Sequence, residues 1–273
     1  MTRLAIVGRG KVGTAFERAA RRARLDVRAI SARDVLTGAA KVRADLVVIT
    51  SRDALVGDIA RALASARRAP HAAMHCAGAL GPDVLAPLAE RGVATAAAHP
   101  LLSFSGARAT TLVGGALVIE GSAEAVRYAC ALARRLGMIP VVVSEVDRAR
   151  YHAAAAIVAN GAAALAFEGA RLLASAGVDP SRAPALLGPL LASVASNIRE
   201  LGVAAALSGP VRRGDTATLE RHLAALETEP ASTRSLYGTL VQVQLEIVRE
   251  LHERSADSGA TFDMVGFDRI LRR

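Results

Sequence analysis

The 273-residue sequence predicts a doubly wound α/β domain followed by an all-α domain. Short apolar runs alternate with helical stretches through its first half. A glycine-rich turn closes the first of these runs, and strand signals stop after Ser144. Such alternation with short links implies a parallel sheet with helices on both faces.

The elements follow in order. Leu4 to Val7 is a short apolar run ended by glycine, so a buried strand, and Thr14 to Arg24 is helical. Val27 to Ile30 reads as the second strand and Asp45 to Thr50 as the third. Asp53 then has the character of an N-cap for a helix through Ala66. Ala72 to Cys76 and Val93 to Ala98 are further strands, with a helix around Val84 to Glu90 between them. Thr111 to Ile119 and Val141 to Ser144 complete the strands, flanking a helix from Ala123 to Leu136. Beyond the boundary, helices are predicted over Arg148 to Ala176, Ser181 to Leu201, Thr216 to Leu226 and Ser232 to His252. Gly177 to Pro180, Ser208 to Pro210 and Glu229-Pro230 mark their breaks. The domains are therefore expected at 1–146 and 147–273.

Composition narrows the function classes. Hydrophobic residues make up 52% and aromatics 3%, with no Trp. The core must be built from Ala, Val and Leu, and an aromatic stacking surface for single-stranded nucleic acid is not expected. The net charge of +9 comes almost entirely from scattered Arg, since Lys11 and Lys41 are the only lysines. No basic run is interleaved with aromatics, so no nucleic-acid partner is expected. A phosphorylated cofactor accounts for part of the charge equally well. Cys76 and Cys130 form no C-x-x-C pair, which suits a reducing, cytoplasmic setting without disulfides or zinc. The N-terminus runs straight into a strand without a signal pattern. The most apolar stretch, Ala153 to Phe167, is interrupted by Asn160. It falls short of the ~20 residues a membrane span needs, so no membrane partner is expected.

Gly8-Arg9-Gly10-Lys11-Val12-Gly13 is a G-x-G-x-x-G pattern. It follows a strand and opens a helix, the context a dinucleotide fingerprint requires. The first glycine permits the tight turn, the second lets backbone approach a pyrophosphate, and the third lets helix and strand pack closely. Free N–H groups at the helix N-terminus would face the phosphates. NAD sites usually carry an acid at the end of the second strand, where this chain reads Ile30-Ser31-Ala32-Arg33. Ser31 and Arg33 suit the 2′-phosphate of NADP(H) instead, and Thr50 and Ser51 after the third strand would border the same cofactor.

Catalytic groups are expected beyond the carboxyl ends of the strands. Thr50-Ser51, Cys76-Ala77-Gly78 and His99-Pro100 to Phe104 fall there. His99 is a titratable group on a rigid strand end. His152 and Asn160 lie two turns apart on the first helix of the second domain, ~12 Å along its axis and ~80° around it. Asn160 in an apolar helix requires hydrogen-bond partners, which a substrate carbonyl or a ribose could supply.

These motifs together resemble a family that pairs a Rossmann-like domain with a helical domain of unknown function. Gly8 to Gly13, His99-Pro100, Tyr151 to Asn160 and Gly209 to Asp215 carry the resemblance. Some of its members are an alternative type of ketopantoate reductase in pantothenate synthesis. Wider relatives are ketopantoate reductase, pyrroline-5-carboxylate reductase, the β-hydroxyacid dehydrogenases and prephenate dehydrogenase. The resemblance implies a 6-phosphogluconate dehydrogenase-like C-terminal domain. In ketopantoate reductases and β-hydroxyacid dehydrogenases a lysine on the first helix of the second domain is catalytic. This chain has no lysine after Lys41, so His152 or His99 must replace it, with Tyr151 a weaker candidate at its ordinary pKa of about 10. Prephenate dehydrogenases share the strand-end His-Pro, which favours His99.

The resemblance thus implies an NADPH-dependent reductase of a small keto acid, ketopantoate first. Asn160 would orient the carbonyl, and an Arg from the Gly209 to Asp215 turn would hold the carboxylate. An imine reductase and a non-catalytic NADP(H) sensor are the rival readings. The apolar, small-residue helix of Ala153 to Ala166 must be buried on every side, which predicts a homodimer.

Overall fold

The computed structural model describes residues 3–105 and 110–254. It contains a seven-stranded sheet in the order β2-β1-β3-β4-β5-β6-β7. The strands are β1 (Leu4–Val7), β2 (Val27–Ile30), β3 (Leu46–Ile49), β4 (Ala72–His75), β5 (Ala94–Leu101), β6 (Ala116–Gly121) and β7 (Ile139–Val142). Helices α1 (Lys11–Arg22), α2 (Ala32–Leu36), α3 (Val56–Ala64), α4 (Ala86–Ala89) and α5 (Ala123–Arg135) connect them. Alternate residues of each central strand feed two separate cores. Leu4, Ile6, Ala72 and Met74 pack with Phe16 of α1 and Leu132 of α5. Ala5, Val7, Ala73 and Ile49 pack with Ile59 and Leu63 of α3. A sheet buried on both faces needs such apolar alternation without a polar face. From β1 the chain crosses one way to β2, while β3 lies on the other side of β1, so the switch point falls between β1 and β3, beside the glycine loop.

Several sequence expectations are corrected here. The sheet is not parallel throughout. β5 pairs antiparallel with β6, and β7 runs parallel to β6. Among the described residues no crossover helix joins β5 to β6, and a direct return along the same edge reverses direction. β6 starts at Ala116 rather than Thr111, because Gly114 turns the chain at φ +78° and Gly115 lies under Leu102, where a Cβ would meet its side chain at 2.6 Å. His99 and Pro100 do not follow β5 but lie inside it, paired with Val118 and Leu117. Asp53 caps nothing through its side chain; it begins a 3₁₀ turn, Asp53–Leu55, ahead of α3. The helix expected around Val84 is a 3₁₀ turn, Pro82–Leu85, followed by the short α4.

The remaining helices are α6 (Arg148–Ser175), α7 (Ala183–Leu201), α8 (Pro210–Arg213), α9 (Thr216–Ala225) and α10 (Ala231–Arg254). The chain divides into two compact units at 161/162, inside α6, rather than at 146/147. Side-chain bonds from Arg148 and Tyr151 tie the first turns of α6 to the sheet. In the second unit, Val211, Leu219, Val241, Leu245 and Val248 form a small core. No residue of α6 is buried, and Ile157, Val158 and Phe167 are 65–73% exposed. By length and composition alone α6 could cross a membrane. The helix runs 28 residues, close to the Arg148 to Ala176 expected from the sequence, and so extends on both sides of the apolar stretch Ala153 to Phe167.

Candidate active site

The glycine loop is built by close packing. Gly8 has φ +122°, and a Cβ there would lie 2.8 Å from the Thr50 carbonyl carbon. A Cβ on Gly13 would lie 2.0 Å from the Gly8 oxygen, so α1 can approach β1 only because residue 13 has no side chain. Nothing lies within 4 Å of the Cβ position of Gly10, the N-cap of α1. Open space, free amide groups and a first turn without acidic residues together make a cradle for a phosphate. The Lys11 ammonium donates to the Ser105 carbonyl, 3.1 Å away, so the chain after β5 lies against the loop.

The structure sorts the predicted cofactor residues. Gly8, Arg9, Gly10, Lys11, Val12 and Gly13 form the loop as expected. The Arg9 guanidinium donates to the Ala29 carbonyl (3.4 Å) and stands beside the end of β2. Ser31 is the N-cap of α2, its Oγ accepting from the Asp34 amide at 3.0 Å, and Arg33 is exposed on α2. Thr50 differs from expectation. Its hydroxyl is buried and donates to the Gly8 carbonyl (3.0 Å), so it braces the loop from behind and does not face a ligand. Ser51 Oγ donates to the Arg52 carbonyl (3.3 Å).

A second cluster gathers at the carboxyl edge of β4 and β5. His99 Nδ1 and Tyr151 Oη share a hydrogen bond of 2.7 Å, with the rings edge to face at 5.7 Å. His152 stands on the other side of His99, ring centroids 6.2 Å apart. The two histidines converge on Gly78. A Cβ there would lie 2.7 Å from His152 Nδ1 and 2.9 Å from His99 Nε2. Beneath them His75 is wholly buried, with Nε2 donating to the Gly81 carbonyl (2.9 Å) and Nδ1 accepting from the Ala77 amide (3.2 Å). Arg148 completes the cluster. It pairs with Glu120 of β6, and its guanidinium lies 5.8 Å from the Tyr151 ring centroid. Among the described residues its Nε and Nη1 have no hydrogen-bond partner and are shut from solvent, so its positive charge is felt by its neighbours in a poorly screened site.

That charge and the burial set the protonation states. Burial first, then the neighbouring His152 and Arg148, pushes His99 down to about 4, so it is neutral near pH 7. Burial lowers His75 as well. Burial raises the Tyr151 phenol, and Arg148 opposes that rise. Burial pushes the Cys76 thiol up to about 12, so it is no thiolate nucleophile.

Of the predicted catalytic residues, His99 and His152 are brought together and Asn160 is not. Asn160 is exposed on α6 in the single chain, and no side-chain hydrogen bond joins it to this cluster among the described residues. Arg212 and Arg213, expected to hold a carboxylate, are exposed on α8 in the second unit. Gly78 falls in the strand-end loop expected from the sequence, whereas His75, Glu120 and Arg148 were not among the expected site residues. The signal for Arg148 was present: it stands three residues before Tyr151, hence on the same helix face.

Two family models each match a part of the chain. Residues 34–100 match a Rossmann-like domain, and residues 116–243 match a domain of unknown function, DUF2520. The particular relatives are solved structures. A protein from Thermotoga maritima is similar at 22% identity and TM-score 0.68, covering 91% of this chain and 99% of its own. A pyrroline-5-carboxylate reductase from Coxiella burnetii is similar at 14% and 0.59, covering 92% and 98%. An imine reductase from Myxococcus stipitatus, in complex with NADP+, is similar at 16% and 0.55, covering 98% and 99%. Likeness at these identities establishes the shared fold. No curated protein sequence matches the chain.

Proposed function

We propose that this protein is an NADPH-dependent reductase of a C=O bond in a small carboxylate-bearing substrate. The observation that carries this reading is the 2.7 Å His99–Tyr151 bond at the carboxyl edge of a sheet whose switch point bears the glycine loop. Ligands of doubly wound sheets lie at that edge. NADP(H) fits the residues present: the space at Gly10 and the amides of Lys11, Val12 and Gly13 would take the pyrophosphate. Arg9, Ser31 and Arg33 would take the 2′-phosphate, since no acid ends β2. Bound NADPH supplies a hydride. The chain's own contribution is a proton for the reduced product, drawn from the His99–Tyr151–His152 cluster.

Ketopantoate is the first choice of substrate, from the family resemblance. An imine acid is the second reading, favoured by the fold likeness to pyrroline-5-carboxylate and imine reductases. The donor cluster favours the carbonyl, because an alkoxide needs a proton that a protonated imine already carries. A panel of keto acids and cyclic imines, followed by NADPH absorbance, tests this. Turnover with a keto acid is expected. NADPH binding without oxidation by any acid or imine in the panel makes the protein a sensor and overturns the proposal.

The reading includes a homodimer through α6 and α7. Leu186, Leu190, Leu191, Val194, Ile198 and Leu201 form an exposed stripe on α7 at helical spacing, and α6 buries none of its residues. A second copy of the chain would cover both.

A further inference from the structure

The sequence leaves open which histidine gives up the proton, and the geometry around Gly78 points to neither. We infer that Tyr151 Oη is the atom that protonates the product, that His99 passes a proton to Oη from behind, and that His152 is the entry from solvent. This rests on the reductase reading above.

The arrangement is directional. His152 is exposed, whereas His99 and Tyr151 are both half-buried. His99 Nε2 faces the point at Gly78 that His152 Nδ1 also faces, and its other nitrogen bonds Tyr151 Oη. With Nδ1–H donating to Oη, the phenol keeps its own O–H free for the substrate. As the hydride pair reaches the substrate carbon, the C=O π pair moves to oxygen. The Tyr151 O–H bond then breaks, its electrons staying on Oη, and the new O–H bond forms on the product. Nδ1–H moves to Oη, and Nε2 takes a proton from the His152 side, so His99 stays neutral overall. A direct transfer from imidazolium is disfavoured because His99 holds no proton charge near neutrality.

Among the described residues, His99 bonds the Tyr151 oxygen and Arg148 lies over its ring and pairs with Glu120 of β6. On α6 itself, Asp147 and Arg150 pair with each other one turn before and beside Tyr151. His152 and His75 bear on His99. Arg148 and His99 are positioning residues, and Tyr151 is the catalytic one.

Two measurements on the full chain test the relay. The first needs no substrate. The chain has three tyrosines and no tryptophan, so tyrosinate absorbance against pH is easily resolved. Tyr151→Phe should remove one component, and His99→Phe should move that component to higher pH by at least about 0.5 unit, because Oη loses a donor. An unmoved component shows that His99 does not donate to Oη and overturns the relay, whatever the substrate proves to be. The second measurement uses a keto acid that oxidises NADPH. Tyr151→Phe should lower kcat about a hundredfold with NADPH affinity and KM nearly unchanged. His152→Ala should lose about tenfold in dilute buffer and recover with added imidazole, since its position is open to solvent. Full activity in Tyr151→Phe, or no rescue of His152→Ala, contradicts the assignment. Wild-type protein that binds NADPH but reduces nothing sinks the function reading instead, and the tyrosinate titration still decides the hydrogen bond.

Discussion

Gly78 shows how one missing side chain organises the site. It has no need of glycine's backbone freedom; it is constrained by the two imidazoles that close on its hydrogen. Gly78→Ala should push His152 aside, since a Cβ within 3 Å of its Nδ1 is closer than real contacts allow, and the imidazole is the part that can move. The expected result is a fall in kcat of about tenfold with unchanged NADPH affinity, measured by steady-state kinetics beside calorimetry. Unchanged kcat would mean that the two histidines do not cooperate. His99 carries a second consequence at this scale. Its folded value of about 4 lies below the ordinary 6.5, so the unfolded chain binds its proton first as pH falls. Stability is complete above about pH 6.5 and is lost on the way down to about pH 4. The loss is about 2 kcal/mol once partial exposure is allowed for. The buried His75 shifts the same way and adds to it. Urea unfolding of wild type and His99→Asn between pH 7 and 4 should show a shallower slope in the variant; parallel slopes would exclude His99 as the cause.

At the scale of elements, the glycine loop and β1, β2 and β3 were readable to within a residue. Apolar runs such as Leu46–Ile49 leave no other buried solution, and the loop's three glycines sit where packing demands them. β6 and His99 were misread for a shared reason. Apolar periodicity does not record strand direction, and only the antiparallel partner makes β5 long enough to include His99. Thr50 was legible as a strand-end hydroxyl, but which way it turns depends on Gly8, 42 residues away in sequence. Asn160 and its apolar neighbours Ile157 and Val158 are exposed in the single chain, because an apolar sequence alone does not say what covers it. The loop supplies an element-scale prediction. Gly13→Ala places a methyl against the Gly8 oxygen and Thr50 Oγ1, so α1 must move off β1. A loss of about 1–3 kcal/mol is expected in denaturant unfolding, together with loss of NADPH binding. Retained binding at full stability would show that the loop tolerates displacement and that the phosphates lie elsewhere.

Over the whole molecule, the composition explains why its two halves differ. Ala, Val and Leu fill a closely packed sheet core, while α6, rich in the same small residues, has none of its residues fully buried by its own chain. A second copy is the proposed cover. Light scattering in detergent-free buffer should give the mass of two chains, and Ile157→Glu with Val158→Glu should give one. A monomer, or a wild-type protein that stays in solution only with detergent, would point to a membrane surface for α6 instead. The glycine loop with Arg9, Ser31 and Arg33 is the proposed seat of NADP(H), without which hydride chemistry has no source. Isothermal titration of the purified chain with NADPH and then with NADH decides it. One saturable site per chain is expected, with NADPH the tighter ligand and a reversed preference in Arg33→Asp. No binding of either nucleotide, or tighter binding of NADH by the unmodified chain, would contradict it.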